Sequence, residues 1–244
     1  MSASPHALPL EIQNITKKYN NRTILDNVSF SIQKGELFGL IGLNGVGKTT
    51  LIKNILDLTR PDNGKAFLFG ESCLQARSRR HISYLPEKFQ PSRYLRGNEY
   101  LSLVLSYFGK SLNPGQAREE AIKLDLAPEA LENKVGSYSK GMGQKLGLIG
   151  AFLVDAPLLI LDEPMSGLDP RARIMLKERL LFYKSQGKSI FFSSHILSDI
   201  DEICDRIGVI SDKRIIFTGT PSDFKQQHLS ESLEKSFLNA ISVH

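Results

Sequence analysis

The sequence predicts an α/β fold with a mainly parallel core sheet, an antiparallel β layer and an inserted helical lobe, and three observations carry that prediction. A short apolar run, Glu36 to Ile41, leads through Gly42-Leu43-Asn44-Gly45-Val46-Gly47-Lys48-Thr49-Thr50 into a helical pattern from Thr49 to Leu56. This is the strand, loop and helix setting that the phosphate-cradling pattern G-x-x-x-x-G-K-[ST] requires, and the match has no mismatch. From Pro157 to Gly219 short apolar strands alternate with helices, which implies parallel strands covered on both faces. Between them, from Pro86 to about Ala156, the texture is helical.

Taken in order, Leu10 and Ile12 and then Ile24, Val28, Phe30 and Ile32 read as a hairpin-like pair ending at Lys34-Gly35, a small β-rich layer ahead of the glycine loop. In that loop Gly42, Gly45 and Gly47 allow backbone conformations closed to residues with a Cβ, so successive N–H groups can turn inward around phosphate oxygens. The helix that follows points its positive end at the same place. Lys48 would reach the terminal phosphates, and the Thr49 hydroxyl would ligate Mg²⁺. Pro61-Asp62-Asn63-Gly64 is a turn, and Lys65 to Gly70 and His81 to Leu85 are strands, the second stopped by Pro86. Asn98 to Phe108, Gln116 to Leu126 and Gly141 to Leu153 have helical apolar spacing. Leu158 to Leu161 reads as a fully buried strand, Pro170 to Lys184 as a helix, Ser189 to Ser193 as a strand and Ile196 to Cys204 as a helix. Ile207 to Ile210 and Arg214 to Phe217 close the set, with a polar tail beyond Gly219.

Size and composition narrow the class. A chain of 244 residues, 41% hydrophobic and 23% charged, suits one soluble α/β domain with an inserted lobe rather than two independent domains or a disordered chain. The longest apolar stretches, such as Leu146 to Val154, fall far short of the ~20 residues that span a bilayer. Met1 to Pro9 lacks the basic cluster and apolar core of a secretory signal and reads as a mobile tail. Cys73 and Cys204, without metal-binding spacing, read as reduced thiols of a cytosolic protein. The net charge of +5 suits an anionic partner but decides nothing alone. The basic residues are scattered and not interleaved with aromatics, so no nucleic-acid partner is expected. The short cluster Arg77 to His81 is read as a solvated face, with contact to a partner or to lipid headgroups as the other possibility.

A phosphate loop needs a carboxylate for Mg²⁺, and Asp162 closes the strand Leu158-Leu159-Ile160-Leu161 at the edge where open α/β sheets bind ligands. Glu163 beside it would orient or deprotonate an attacking water. His195 follows the next apolar strand, in Phe191-Phe192-Ser193-Ser194-His195, and would emerge at the same edge.

With Lys48, then Tyr138-Ser139-Lys140-Gly141-Met142-Gly143-Gln144-Lys145, then Asp162-Glu163-Pro164-Met165-Ser166-Gly167-Leu168-Asp169-Pro170, then His195, the chain resembles the ATP-binding subunit of ABC transporters over roughly Leu10 to Gly219. The resemblance implies the phosphate-loop ATPase fold of that family, as a single domain over 1–244. Residues 10–85 and 157–219 would form the β layer and core, and 86–156 the lobe. It implies that Tyr19 stacks on adenine and that Ser139 and Gly141, in the place of the LSGGQ signature, contact the γ-phosphate bound by a partner subunit. Lys140 and Met142 depart from that signature, and the YSKGM form looks like the exporter branch whose permeases are separate chains. Where the family places a glutamine after the Tyr84-Leu85-Pro86 strand end, this chain has Glu87. Either Glu87 ligates Mg²⁺ directly, the reading preferred here, or Gln90 takes the part. Asp169 matches the loop that crosses the dimer interface.

The implied function is an ATP- and Mg²⁺-dependent ATPase that drives transmembrane permease subunits, paired with a second ATP-binding subunit. A homodimer is expected, since this chain carries Glu163, His195 and an intact phosphate loop. The implied location is cytoplasmic, at the inner face of the membrane through the permease. The alternative is a non-transport ABC ATPase acting on a ribosome or nucleic-acid complex, though such proteins usually carry two cassettes or a long inserted coiled coil. A guanine-reading N-K-x-D sequence is missing, since Asn133-Lys134-Val135-Gly136 lacks its Asp.

Overall fold

The structure, a computed structural model, describes residues 7–242. The tail expected over Met1 to Pro9 therefore lies, as far as His6, outside the described residues. Pro9 itself is buried and its carbonyl accepts the Phe69 amide at 3.3 Å, so the ordered chain begins earlier than expected.

The expected antiparallel layer is a four-stranded sheet in the order β2-β1-β4-β5, formed by β1 (Leu10–Tyr19), β2 (Arg22–Ile32), β4 (Asn63–Leu68) and the short β5 (Glu71–Ser72). Between its members run β3 (Leu37–Ile41) and the loop helix α1 (Lys48–Ile55). The Arg77 cluster lies in a 3-10 turn, Ala76–His81, followed by β6 (Ile82–Leu85). There Arg77 pairs with Glu71 at 3.0 Å and Arg79 with Asp57 at 3.4 Å, so part of the cluster is engaged within the chain.

The helical lobe consists of α2 (Gly97–Tyr107), α3 (Pro114–Lys123) and α4 (Lys140–Leu153). Asn113 caps α3 by accepting the Gln116 amide, with Pro114 in the first turn where its missing N–H costs nothing. The lobe is pinned to the core by a buried bidentate pair from Arg179 to Glu120 at 2.5 and 2.9 Å. The Arg179 guanidinium also lies over the Phe152 ring at 4.5 Å.

After the lobe come β7 (Leu158–Asp162), α5 (Pro170–Ser185), β8 (Ser189–Ser194), α6 (Leu197–Ile203), β9 (Arg206–Ser211) and β10 (Arg214–Gly219). The core sheet has six strands in the order β10-β9-β3-β8-β7-β6, parallel throughout except for the antiparallel edge β10. Its strands read as continuous apolar runs because both faces are covered. Leu158, Ile160, Phe38 and Phe191 face the β layer and α1, while Leu159, Leu161, Leu37 and Phe192 face the lobe and α5. Phe30 of the layer stacks on Phe38 of the sheet with centroids 5.0 Å apart.

The polar tail expected beyond Gly219 is corrected. Residues Pro221–Gln227 form α7, capped by Thr220 with Asp223 in a capping box, and Leu233–Ser242 form α8. Phe224, Leu233, Phe237 and Ala240 are buried in the same core as the sheet, so a few apolar residues at helical spacing suffice to dock an otherwise polar segment.

Candidate functional site

Lys48, Glu163 and His195 come from three separate elements and meet at the carboxyl edge of the core sheet. Lys48 opens α1 and is 6% exposed. Its Nζ donates to the carbonyls of Gly42 at 2.7 Å and Leu43 at 3.3 Å. It also lies 3.2 Å from Glu163 Oε1, an ion-pair contact without the alignment of a hydrogen bond, since Oε1 has no hydrogen-bond donor among the described residues. Glu163 Oε2 sits 2.7 Å from His195 Nδ1. An ionised carboxylate can only accept, so Nδ1 carries the hydrogen in this contact and Nε2 is the free ring nitrogen.

The loop has the shape its glycines permit. Gly45 and Gly47 have φ of +79° and +116°, in the left-handed range. A Cβ on Gly47 would stand 2.8 Å from Leu25 Cδ2 and 3.1 Å from the Ile24 carbonyl, so the loop rests directly on β2. Gly47 offers no side-chain cap, which leaves the first amides of α1 available to an anion. Leu43 and Asn44 are exposed beside Gly42, while Val46 is half-buried and turns back, its amide bonded to the Leu43 carbonyl at 3.3 Å. Asn44, Gly45, Gly47, Lys48, Thr49, Thr50, Glu87 and Glu163 line a cavity of about 130 Å³. Glu87 is thus at the cavity, and Gln90 is not among its lining residues.

Asp162 and Glu163 lie side by side in sequence but in different environments. Asp162 is fully buried, with Oδ1 accepting the Ser193 hydroxyl at 2.5 Å and Oδ2 without a hydrogen-bond partner among the described residues. Glu163 has a φ of +51°, a left-handed conformation that costs a residue with a side chain on the order of 1–3 kcal/mol. The strain is held by its amide, which donates to both the carbonyl and the hydroxyl of Ser193 at 3.2 and 3.1 Å. Burial first, then the charges of Asp162 and Glu87, push the Tyr84 phenol up to about 12.

The residues fit Mg²⁺. Thr49 and Glu87 line the cavity, and Asp162 lies behind it, next to the lining residue Glu163; the threonine hydroxyl, the Glu87 carboxylate and the partnerless Oδ2 of Asp162 are hard oxygen donors of the kind Mg²⁺ takes together with phosphate and water. Among the described residues no group of three or more His, Cys, Asp or Glu could cage a metal alone, so phosphate oxygens would have to complete the shell.

Other residues singled out in the sequence lie apart from this cavity. Tyr19 ends β1, 43% exposed, with Lys17 Nζ 5.1 Å from its ring centroid. Tyr19 pairs with Arg22, while Lys17, two residues before it, pairs with Leu25, against which Gly47 packs. Ser139 caps α4 by accepting the Met142 amide at 3.2 Å. Gly141 approaches the Gly167 carbonyl so closely that a Cβ would be 3.2 Å from it. Neither Ser139 nor Gly141 lines the cavity at Lys48.

Sequence reading missed two links. Gln144 Nε2 donates to the Pro164 carbonyl at 3.1 Å, tying α4 to the residue after Glu163. Lys145 reaches the Asp125 carbonyl at 2.7 Å and Asp169 at 3.8 Å. The Ala172 amide, and to a lesser degree Lys145, hold the exposed Asp169 carboxyl below the usual range, as befits the cap of α5.

Known proteins resemble this chain over most of its length. The profile of the family described as ABC transporter matches residues 25–166. An uncharacterized ABC transporter ATP-binding protein of Nostoc sp. is 40% identical over 200 residues, 80% of this chain and 59% of that protein. A second, from Synechocystis sp., is 39% identical over 80% of this chain and 56% of its own length. The chain thus spans under three fifths of the length of these two relatives. The Nod factor export ATP-binding protein I of Burkholderia lata is 38% identical over 221 residues, 87% of this chain and 71% of that protein. A solved structure described as the ATP-binding subunit of an ABC transporter superposes with a TM-score of 0.86 at 32% identity, covering 95% of this chain and 98% of that one. Among the described residues no helix is long and apolar enough to cross a membrane.

Proposed function

Because the chain belongs to the ABC transporter family, we propose that it is an ATP-hydrolysing subunit that drives a separate membrane permease, with export as the direction of transport. One observation carries the reading: a buried glutamate at a strand end, held between Lys48 and His195, faces a cavity of phosphate size. At about 130 Å³ that cavity is well below the roughly 300–1,000 Å³ of a complete small-molecule pocket. It suits the phosphate end of a nucleotide, with the adenine against the open face of Tyr19 and the remaining wall supplied by another subunit.

In this reading the amides of Gly42 to Thr50 and the Lys48 ammonium receive the phosphates, and Lys48 leaves Glu163 to do so. Freed on that side, Glu163 aligns and deprotonates the attacking water, while His195, tethered through Nδ1, donates from Nε2 to the γ-phosphate in its imidazolium form, in which both ring nitrogens carry hydrogen. Thr49 and Asp162, with Glu87, hold Mg²⁺, which when bound supplies charge stabilisation to the phosphates. Ser139 and Gly141 contact the γ-phosphate of a second copy, so that binding closes a homodimer and hydrolysis reopens it. The subunit works at the cytoplasmic face of the membrane, against its permease. The nucleic-acid alternative gains nothing from the Arg77 cluster, where Arg77 and Arg79 already have acidic partners.

The test is hydrolysis by the purified chain, alone and with the membrane protein that copurifies with it. Mg²⁺-dependent turnover of ATP in preference to GTP is expected. Absence of ATP turnover in both preparations, or equal use of GTP, would overturn the reading.

A further inference from the structure

Sequence reading gives Ser193 no task beyond ending a strand, yet the structure places it at the joint of the site. It is the register partner of Asp162 across β7 and β8, and it is 0% exposed. Its hydroxyl donates to Asp162 Oδ1 at 2.5 Å and accepts the Glu163 amide at 3.1 Å. A hydroxyl has one hydrogen to give, and this one is committed to Asp162. It is the one hydrogen bond that the Asp162 carboxylate accepts among the described residues. A buried carboxylate with one oxygen satisfied and the other orphaned is costly unless a cation meets the free oxygen.

We propose that Ser193 is a positioning residue for Mg²⁺: its hydroxyl pins Asp162 through Oδ1 and so reserves Oδ2 for the metal. The same oxygen helps hold Glu163 in its left-handed conformation, so one side chain sets both the metal-binding and the water-aligning carboxylate. Partners that orient a ligand in this way commonly change metal affinity by about 10–100-fold when removed. The inference rests on the Mg²⁺·ATP reading above and deepens it. Simple space filling is the competing account, and it predicts no metal dependence.

The experiment is binding of mant-ATP to the full chain, titrated with Mg²⁺ and repeated in EDTA, so that turnover is not the readout. Ser193→Ala should raise the Mg²⁺ concentration for half-maximal enhancement of binding by about tenfold or more, while affinity in EDTA stays unchanged. Ala keeps the backbone bond from the Glu163 amide to the residue 193 carbonyl, so the loop retains one tether. Ser193→Thr should restore the wild-type Mg²⁺ dependence. Ser193→Val, equal to Thr in size but lacking the hydroxyl, should behave as Ala does and repeats the comparison with packing held constant. An unchanged Mg²⁺ dependence in the Ala and Val variants overturns the inference, as does an equal loss with and without metal. If the wild-type chain takes no mant-ATP in either condition, the proposed function itself falls and this inference with it.

Discussion

Two glycine-bearing loops of this chain each lead into a helix and each has the makings of a phosphate contact, but they differ in how complete they are. At Gly42 to Thr50 side chains from two other strand ends converge, Lys48 is buried against Glu163, and a lined cavity exists. At Ser139 to Gly143 the serine hydroxyl is turned to its own helix, Ser139 and Lys140 are exposed, and a Cβ on Gly143 would meet nothing within 4 Å. The first loop is a pocket; the second is a surface. The contrast teaches that a helix N-terminus with glycines is not by itself a site. A site also needs an opposing wall, which the fold supplies to one loop and not to the other.

The sharpest test of this contrast is Glu163→Gln. It should lower hydrolysis by about 10²–10⁴-fold, the usual contribution of a general base, while ATP binding persists and a closed dimer accumulates in size-exclusion chromatography. Retained hydrolysis would remove Glu163 from its assigned role. Lys48→Ala comes next, with an expected loss of about 10²–10³ in turnover and weaker mant-ATP binding by the isolated subunit. Parent rates in that variant would mean the built pocket is not the phosphate site. Ser139→Ala probes the open loop. Loss of a hydrogen bond to a charged phosphate predicts a turnover decrease of roughly 10–100-fold with isolated-subunit binding unaffected. If binding by the separated subunit falls instead, both loops serve one nucleotide in one chain and the contrast collapses. The smallest effect belongs to Gln144→Ala, which removes the tie to Pro164 between the two regions. A cost of about 1 kcal/mol should lower the melting temperature by about 2–4 °C, and an unchanged melting curve would show that the tie contributes nothing.

Most of the architecture was legible because its signals are local. Strands buried on both faces, such as Leu158 to Leu161, declare themselves as unbroken apolar runs, and the phosphate loop is written in glycines, of which Gly42 and Gly47 leave no room for a Cβ. The convergence of Lys48, Glu163 and His195 was also legible, since two adjacent parallel strands ending in polar residues must present them at one edge. Of the helices after Gly219, Pro221–Gln227 escaped because it buries a single aromatic, Phe224, whereas Leu233, Phe237 and Ala240 recur at helical spacing and carried a signal that the polar composition masked. Ser193 escaped for a different reason. A serine at a strand end looks the same in sequence whether it faces solvent or a buried carboxylate, and only the register across β7 and β8 decides between them. The choice between Glu87 and Gln90 likewise depended on where the loop after β6 turns, and the cavity lining includes Glu87 alone of the two.

The left-handed backbone at Glu163 has a consequence for how this chain tolerates sequence drift. Glycine or asparagine suits that conformation better than glutamate does, so losing the carboxylate relieves the backbone but leaves Lys48, 6% exposed, without its ion-pair partner. Position 163 is then a place where foldability and chemistry pull apart. A library varied at 48 and 163 together, screened first for thermal survival and then for turnover, should return well-folded, inactive variants in which position 163 has lost its carboxylate and position 48 its charge.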